Sequence, residues 1–238
     1  MQKERHMTRS EPLFESLPRR NLRDEAAAQL RGQIIAGSLT PGVIYSMSTI
    51  AAQLGVSATP VREAVLELAK EELVEMVQNR GFRVRVATGK DLDDIVEIRL
   101  TLEVPAMGRL ADLRPVPELE KLRPMAEELV EHAANGDMVA FVVLDSEFHL
   151  SLTALLGNPR YVELVRVLRN QTRLSALPKL RGGTPLVESA REHVRLLDLI
   201  AAGDRPGAEA LMTTHVNHAR GLWAGRPEDD GRTAPDVR

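Results

Sequence analysis

The chain has 238 residues, 43% hydrophobic and 27% charged, with a formal net charge of −3, enough for a small domain joined to a larger one with real cores. It has no cysteine, which excludes disulfides and thiolate metal sites and fits a reducing compartment. Phe, Tyr and Trp together number 7, so Leu, Val, Ile, Ala and Met must fill the cores, which suits helix packing better than a β-sandwich.

Residues 1–20 are polar, with Pro12 and Pro18, and read as a flexible arm. They lack the apolar stretch of a signal peptide. No segment approaches the run of about 18 apolar residues that a membrane span needs. The expectation is a cytoplasmic protein with no membrane contact.

From Asn21 the pattern turns helical. NLRDEAAAQLRGQIIAG places Leu22, Ala26, Leu30 and Ile34 at four-residue steps, and Gly37 closes the helix. Thr40-Pro41-Gly42 is a turn. Ser46 or Ser48 can cap a second helix with Ile50, Ala51 and Leu54 inward, and Gly55 breaks it. A third helix starts near Thr59, with Pro60 in its first turn, and runs through VREAVLELAKEEL. VEMVQ and FRVRV then flank Asn79-Arg80-Gly81 as a β-hairpin. Helix, helix, glycine turn, helix, hairpin is the order of a winged helix-turn-helix, here spanning 21–87.

In the third helix Val56, Val61, Val65 and Leu68 face inward, which leaves Ser57, Ala58, Thr59 and Arg62 outward at its start. Short donors and one guanidinium there can reach phosphates and base edges in a major groove. Arg80 and Gly81 sit at the wing tip, where a residue without a side chain lets backbone approach a phosphate. Charge agrees in sign: residues 1–86 carry 12 Lys+Arg against 10 Asp+Glu, and the remainder 19 against 24.

Beyond Lys90 the pattern is helical throughout: DLDDIVEIRLTLEVPAMGRLADL with a kink expected at Pro105, then VPELEKLRPMAEELVEHAANG, MVAFVVLDSEFHLSLTALLGN, YVELVRVLRNQTRLSALPKL, LVESAREHVRLLDLIAAGD and PGAEALMTTHVNHARGLWAG. Six helices of roughly 15–20 residues with short connections make an antiparallel bundle over 88–224. Residues 225–238 read as a disordered tail. The fold class is mainly α.

Within the bundle, Asp145 and His149 lie four apart, on one helix face. His193 and His215 sit on two later helices, each among apolar neighbours that direct it inward. Alone, the Asp-x3-His pair is a weak signal that reads first as a solvated or capped pair, and the two further histidines bring the two readings level. A buried carboxylate with three imidazoles needs compensation, and a divalent cation supplies it. Oxygen and nitrogen ligands suit Zn, Ni, Mn or Fe(II) and discriminate poorly among them. No general base stands alongside and no HExxH is present, which argues against a metalloenzyme.

Pro41-Gly42, the run LGVS-x-TPVREAV-x-x-L at 54–68 and NRGFRV at 79–84 resemble the GntR family of bacterial regulators. The helical part resembles the FCD ligand-binding domain of its FadR subfamily. The resemblance covers about residues 20–223. It implies a homodimer on a pseudo-palindromic double-stranded operator, contacted by Ser57, Ala58, Thr59, Arg62 and Gly81, beside which the wing-tip reading sets Arg80. Ala58 departs from the Arg usual at its position. Many FCD domains bind a metal through an Asp-x3-His pair and one His from each of two later helices, a pattern that Asp145, His149, His193 and His215 match one by one. The resemblance further implies a regulator, more often a repressor than an activator, that answers to a small organic acid such as lactate, a sugar acid or a dicarboxylate. Arg99 is the first candidate for the acid's carboxylate, then Arg173, Arg220 and Asn217, each equally readable as a surface or intra-helix ion pair. A metal that only knits the bundle, and an acyl tunnel as in FadR itself, are the competing readings of this domain.

Overall fold

A computed structural model describes residues 22–35, 37–86, 88–116, 118–176 and 183–221. The expected arm over 1–20 and tail over 225–238 lie outside the described residues. Chain order is α1 (Leu22–Ile35), β1 (Ile44–Tyr45), α2 (Met47–Leu54), α3 (Ala58–Lys70), β2 (Val74–Val77), β3 (Gly81–Val84), α4 (Gly89–Asp112), α5 (Arg123–Asn135), α6 (Met138–Ala154), α7 (Pro159–Ala176), α8 (Thr184–Ala202) and α9 (Arg205–Asn217), with a 3-10 turn over Leu119–Leu122 ahead of α5.

The first part is a helix-turn-helix with a wing. Ala26, Leu30 and Ile34 of α1, Ile50 and Ala51 of α2, and Val61, Val65 and Leu68 of α3 form one buried cluster with Phe82 and Val84 of β3. Val56 is only partly buried against it, and Leu22, expected on the inner face of α1, is exposed. Ser46 holds the N-cap position of α2, but its hydroxyl bonds Ser48 Oγ at 2.8 Å and caps no backbone N–H. The turn between α2 and α3 depends on Gly55, whose φ of 67° is left-handed and whose N–H closes on the carbonyls of Ala51 and Ala52.

The wing is a three-stranded antiparallel sheet in the order β1-β3-β2, not a lone hairpin. The two residues of β1 are too short to show an alternation, so sequence patterning cannot find them. Their pairing explains Gly81: with φ of 125°, a Cβ there would lie 2.0 Å from the Tyr45 carbonyl oxygen. The glycine is required by the sheet itself, before any phosphate is considered.

The second part is the helical bundle, with helices of 13 to 24 residues, a wider spread than expected. α4 packs along α9, and α5 along α8. Thr88 and Asp91 form a reciprocal capping box that starts α4. Pro105 sits within α4, which runs on through it to Asp112, and the Tyr161 hydroxyl donates to the carbonyl of Leu102 in the preceding turn. Val96, Phe141, Phe148, Leu152, Leu197 and Met212 belong to a second apolar cluster. Ile35, at the end of α1, joins this second cluster rather than the first, so the two parts are packed against each other. No helix among the described residues is long and apolar enough to cross a membrane.

Two backbone positions give opposite predictions. Glu72, just past α3, has φ of 59°, and its exposed side chain pairs with the half-buried Arg85 at 2.8 Å. Glu72→Gly should raise stability by about 1 kcal/mol, because relief of left-handed strain outweighs a solvated ion pair. Gly81→Ala should lower it by about 2 kcal/mol through the collision with Tyr45. Urea denaturation of both variants checks the pair; equal signs would contradict the backbone argument.

Candidate functional site

α6 brings Asp145 and His149 into a continuous apolar stripe with Phe141, Val142, Phe148 and Leu152. α8 does the same for His193 among Leu186, Ala190, Leu197 and Ile200, and α9 for His215 among Ala208, Met212 and Val216. Helical periodicity thus forces all four polar side chains into the bundle interior. None is more than 6% exposed.

Their ligand atoms converge. His149 Nε2 lies 3.1 Å from His193 Nε2 and 3.0 Å from His215 Nε2. Asp145 Oδ1 lies 3.2 Å from His193 Nε2, 3.7 Å from His149 Nε2 and 4.0 Å from His215 Nε2. The outer nitrogens settle the tautomers of two rings. His193 Nδ1 is 2.9 Å from the Ala190 carbonyl, which can only accept, so that nitrogen carries the proton. His215 Nδ1 is 2.9 Å from Glu192 Oε2. Hydrogen bonds from His215 and His218 hold Glu192 down to about 2 against the upward push of burial, so its carboxylate also only accepts. His193 and His215 therefore turn bare lone pairs toward a carboxylate oxygen and toward His149. At most one proton, on His149 Nε2, is available to satisfy them.

Such a convergence of acceptors fits a cation. The nitrogen separations of 3.0 and 3.1 Å approach the roughly 2.9–3.0 Å between neighbouring nitrogens at right angles on an ion held at about 2.0–2.1 Å. The partners of the two outer nitrogens are those that orient metal-bound imidazoles. His149 differs: its Nδ1 is buried with no hydrogen-bond partner among the described residues. Burial, then the charge of Arg169, holds His149 well below the usual imidazole range. Burial likewise takes His215 down to about 4. Both rings are neutral ligands at neutral pH. Burial pushes Asp145 up, yet the positive charge of Arg169 beside it helps keep it well below the usual carboxylate range.

Behind the ligands lies an ion network that sequence reasoning missed in part. Asp145 Oδ2 accepts from Arg169 Nη1 at 3.3 Å and from Arg173 Nη2 at 3.2 Å. Arg169 also donates through Nε to Glu103 Oε2 at 2.8 Å, and Arg99 Nε donates to Glu103 Oε1 at 2.6 Å. All five residues are at least 97% buried. Arg169 and Glu103 escaped notice because single charged residues on a helix are ordinarily solvated. The available signal was position: Arg169 and Arg173 fall on one helical stripe with buried Val165, and Glu103 is four residues after Arg99.

Of the four effector candidates, the structure brings Arg173 against Asp145 of the histidine cluster and sets Arg99 further back, linked to it through Glu103 and Arg169. Asn217 and Arg220 are engaged elsewhere. Asn217 Nδ2 donates to the Thr213 carbonyl at 2.9 Å, and Arg220 Nη2 to the Asp93 carbonyl at 2.7 Å. His218, three residues after His215, is buried and bonds Glu192 at 3.0 Å, so it supports His215 through a shared carboxylate.

At the other end of the molecule, α3 and the wing enclose a cleft of about 570 Å³. Ala58, Thr59 and Arg62 line one wall, Arg80 and Gly81 the other, with Met47, Ser48, Met76 and Gln78 between. Ser57 is the exposed N-cap of α3 and lies outside this lining. The four intervening residues went unnoticed because they become neighbours only when the wing folds beside α2.

A winged helix-turn-helix joined to a helical bundle is the architecture of a DNA-binding regulator. The GntR model of bacterial regulatory proteins matches residues 22–84, and the FCD domain model matches residues 94–218. The chain belongs to the GntR family and carries an FCD domain; it is a transcription regulator, not an enzyme. It is 34% identical, over 85% of its length and 91% of the relative's, to a probable D-xylose utilization operon transcriptional repressor of Paenarthrobacter nicotinovorans. Among solved structures it is similar to Escherichia coli McbR/YncC (26% identity, TM-score 0.72, covering 82% of this chain and 93% of that one). A putative GntR regulator from Rhodococcus sp. RHA1 is similar too (28% identity, TM-score 0.69, covering 83% and 95%). GntR regulators bind DNA operators and typically dimerise, and FCD domains commonly bind metal; here that domain carries the buried cluster of one aspartate and three histidines.

A pH prediction follows from the depressed histidines. Because His215 is lowered to about 4 in the folded state against about 6.5 unfolded, the unfolded chain takes up the proton first. Stability of the metal-stripped protein is then full above about pH 6.5 and falls as pH drops toward 4. Denaturation midpoints at about pH 7.5 and about pH 5 should show this loss, and His215→Gln should shrink it. An unchanged pH difference in the variant would contradict the assignment.

Proposed function

We propose that this regulator binds a two-fold symmetric operator as a homodimer and that a small organic acid, held at a metal-centred pocket in the helical domain, sets its operator affinity. The observation that carries the reading is the meeting of Asp145, His149, His193 and His215 with two guanidiniums directly behind them. A divalent cation (Zn, Ni, Mn or Fe) bound by those four would offer its remaining positions to a carboxylate and a hydroxyl oxygen.

The charge of the surroundings supports an anionic ligand. Arg99, Arg169 and Arg173 stand against only Glu103 and Asp145 in the buried network, three positive groups to two negative. Burial takes Arg173 down to about 10, which leaves it charged at neutral pH and able to hold a carboxylate. Arg99 is the second candidate, once a ligand competes with Glu103 for it. Asn217 and Arg220 would have to leave their present partners to take part. An acyl chain finds no matching lining in such a set.

Thermal melting tests the sensor. Metal-stripped and metal-reloaded protein are compared against a panel of lactate, gluconate and dicarboxylates. The expected result is a melting point raised by one acid, only with metal present and not in His193→Ala. Metal stabilisation to which no acid adds would instead make the ion structural.

For the DNA end, we assign Arg62, Thr59 and Ala58 to the major groove, with Ser57 at the start of the same helix and Arg80 and Gly81 on the adjoining phosphates. Half-sites would then lie about one helical turn apart or somewhat less. Arg62→Ala should lose sequence-specific operator binding, about 1–3 kcal/mol per lost bidentate contact, with the circular dichroism spectrum unchanged. Ala58→Arg should tighten binding. Retained specificity in the first variant, or unchanged affinity in the second, would contradict the placement of α3 on the DNA.

A further inference from the structure

α7 touches both functional ends of the chain. One side of it presents Arg169 and Arg173 to Asp145. Its neighbouring side presents Arg166, Asn170 and Gln171 to Glu71, the residue that directly follows the recognition helix.

Glu71 is a socket. It is 5% exposed. Its carboxylate accepts from Arg31 Nη2 at 2.6 Å and Nε at 3.1 Å, lies 3.6 Å from Arg166 Nη1, and accepts from Asn170 Nδ2 at 3.5 Å. Its backbone carbonyl accepts from Gln171 Nε2 at 3.0 Å. Four residues after Arg31 on α1, Ile35 packs into the apolar cluster of the bundle. The base of the helix-turn-helix is thus seated on α7 by an ion pair, two side-chain amides and an apolar plug.

We propose that α7 couples the histidine pocket to the recognition helix, with Asn170 and Gln171 reading its position at Glu71. Asp145 gives the input: one oxygen faces the three imidazoles and the other anchors Arg169 and Arg173. A cation beside the first oxygen fixes the carboxylate on which two arginines of α7 rest. Arg169 and Asn170 are consecutive on one rigid helix, so fixing the first constrains the second. α3 ends at Lys70, one residue before Glu71. Restraint at its foot therefore constrains Thr59 and Arg62, two to three turns away on the same helix. Both sites would bias one packed element, as energetic coupling requires.

This inference rests on the reading of the pocket as a metal site, and its test separates the two. Hydrogen exchange is followed across residues 66–73 of the full-length chain, stripped and then loaded with zinc alone, while calorimetry measures zinc binding. In the wild type, zinc should slow exchange there by about 5-fold or more, the lower end of usual coupling. The double variant Asn170→Ala, Gln171→Ala should bind zinc as tightly but lose that response. Glu71→Gln, which keeps the shape and removes the charge, should diminish it. Zinc bound with no change at 66–73 in the wild type, or with the full change retained in the double variant, would overturn the coupling and leave the metal site standing. Failure of the wild type to bind zinc would overturn the metal site and the coupling with it.

Discussion

Asp145 has no exposed surface, and the polar groups in the middle of the bundle are arranged around it. Removing a carboxylate from water costs several kcal/mol unless partners replace the lost hydration. The chain replaces it on two sides. Guanidiniums of α7 take one oxygen, and the other is left facing three imidazole nitrogens. The second side is incomplete as protein alone, because two of those rings have committed their protons outward to Ala190 and Glu192. The resulting deficit of donors is what the chemistry of the site turns on: a convergence of acceptors fits a cation. Four helices of the bundle contribute to this arrangement, so its occupancy bears on how they pack.

The DNA-reading end follows a different constraint, close approach of backbone. Gly55 turns α2 into α3 with a left-handed cap, and Gly81 lets β1 lie against β3 where a side chain would collide. These set the cleft between α3 and the wing. The residues that α3 turns into it at its start, Ala58 and Thr59, are short, and its lining carries the cations Arg62 and Arg80.

Much of this was legible in the sequence because it is local or periodic. The helix-glycine-helix pattern, the outward Thr59 and Arg62, and the inward setting of Asp145, His149, His193 and His215 all follow from spacing along single helices. What stayed hidden depends on contacts between elements. β1 has two residues and no pattern to read. Arg169 and Glu103 look like surface charges until their helices pack face to face. The reason for Gly81 lies in Tyr45, 36 positions away in the chain. Glu71 and Gln171 lie 100 residues apart, and no spacing rule joins them. The effector candidates divided for the same cause: side-chain type selects an arginine, while only packing decides which arginine faces the pocket.

The central claim is that the three imidazoles and Asp145 form one ligand set for a single ion. X-ray absorption spectroscopy on the reconstituted protein, with metal content measured alongside, tests it most directly. The account predicts one divalent ion per chain in a shell of nitrogen and oxygen only, with the multiple-scattering signature of about three imidazoles, reduced by one in His215→Ala. An ion without imidazole scattering, or no stoichiometric uptake after reconstitution, would contradict it.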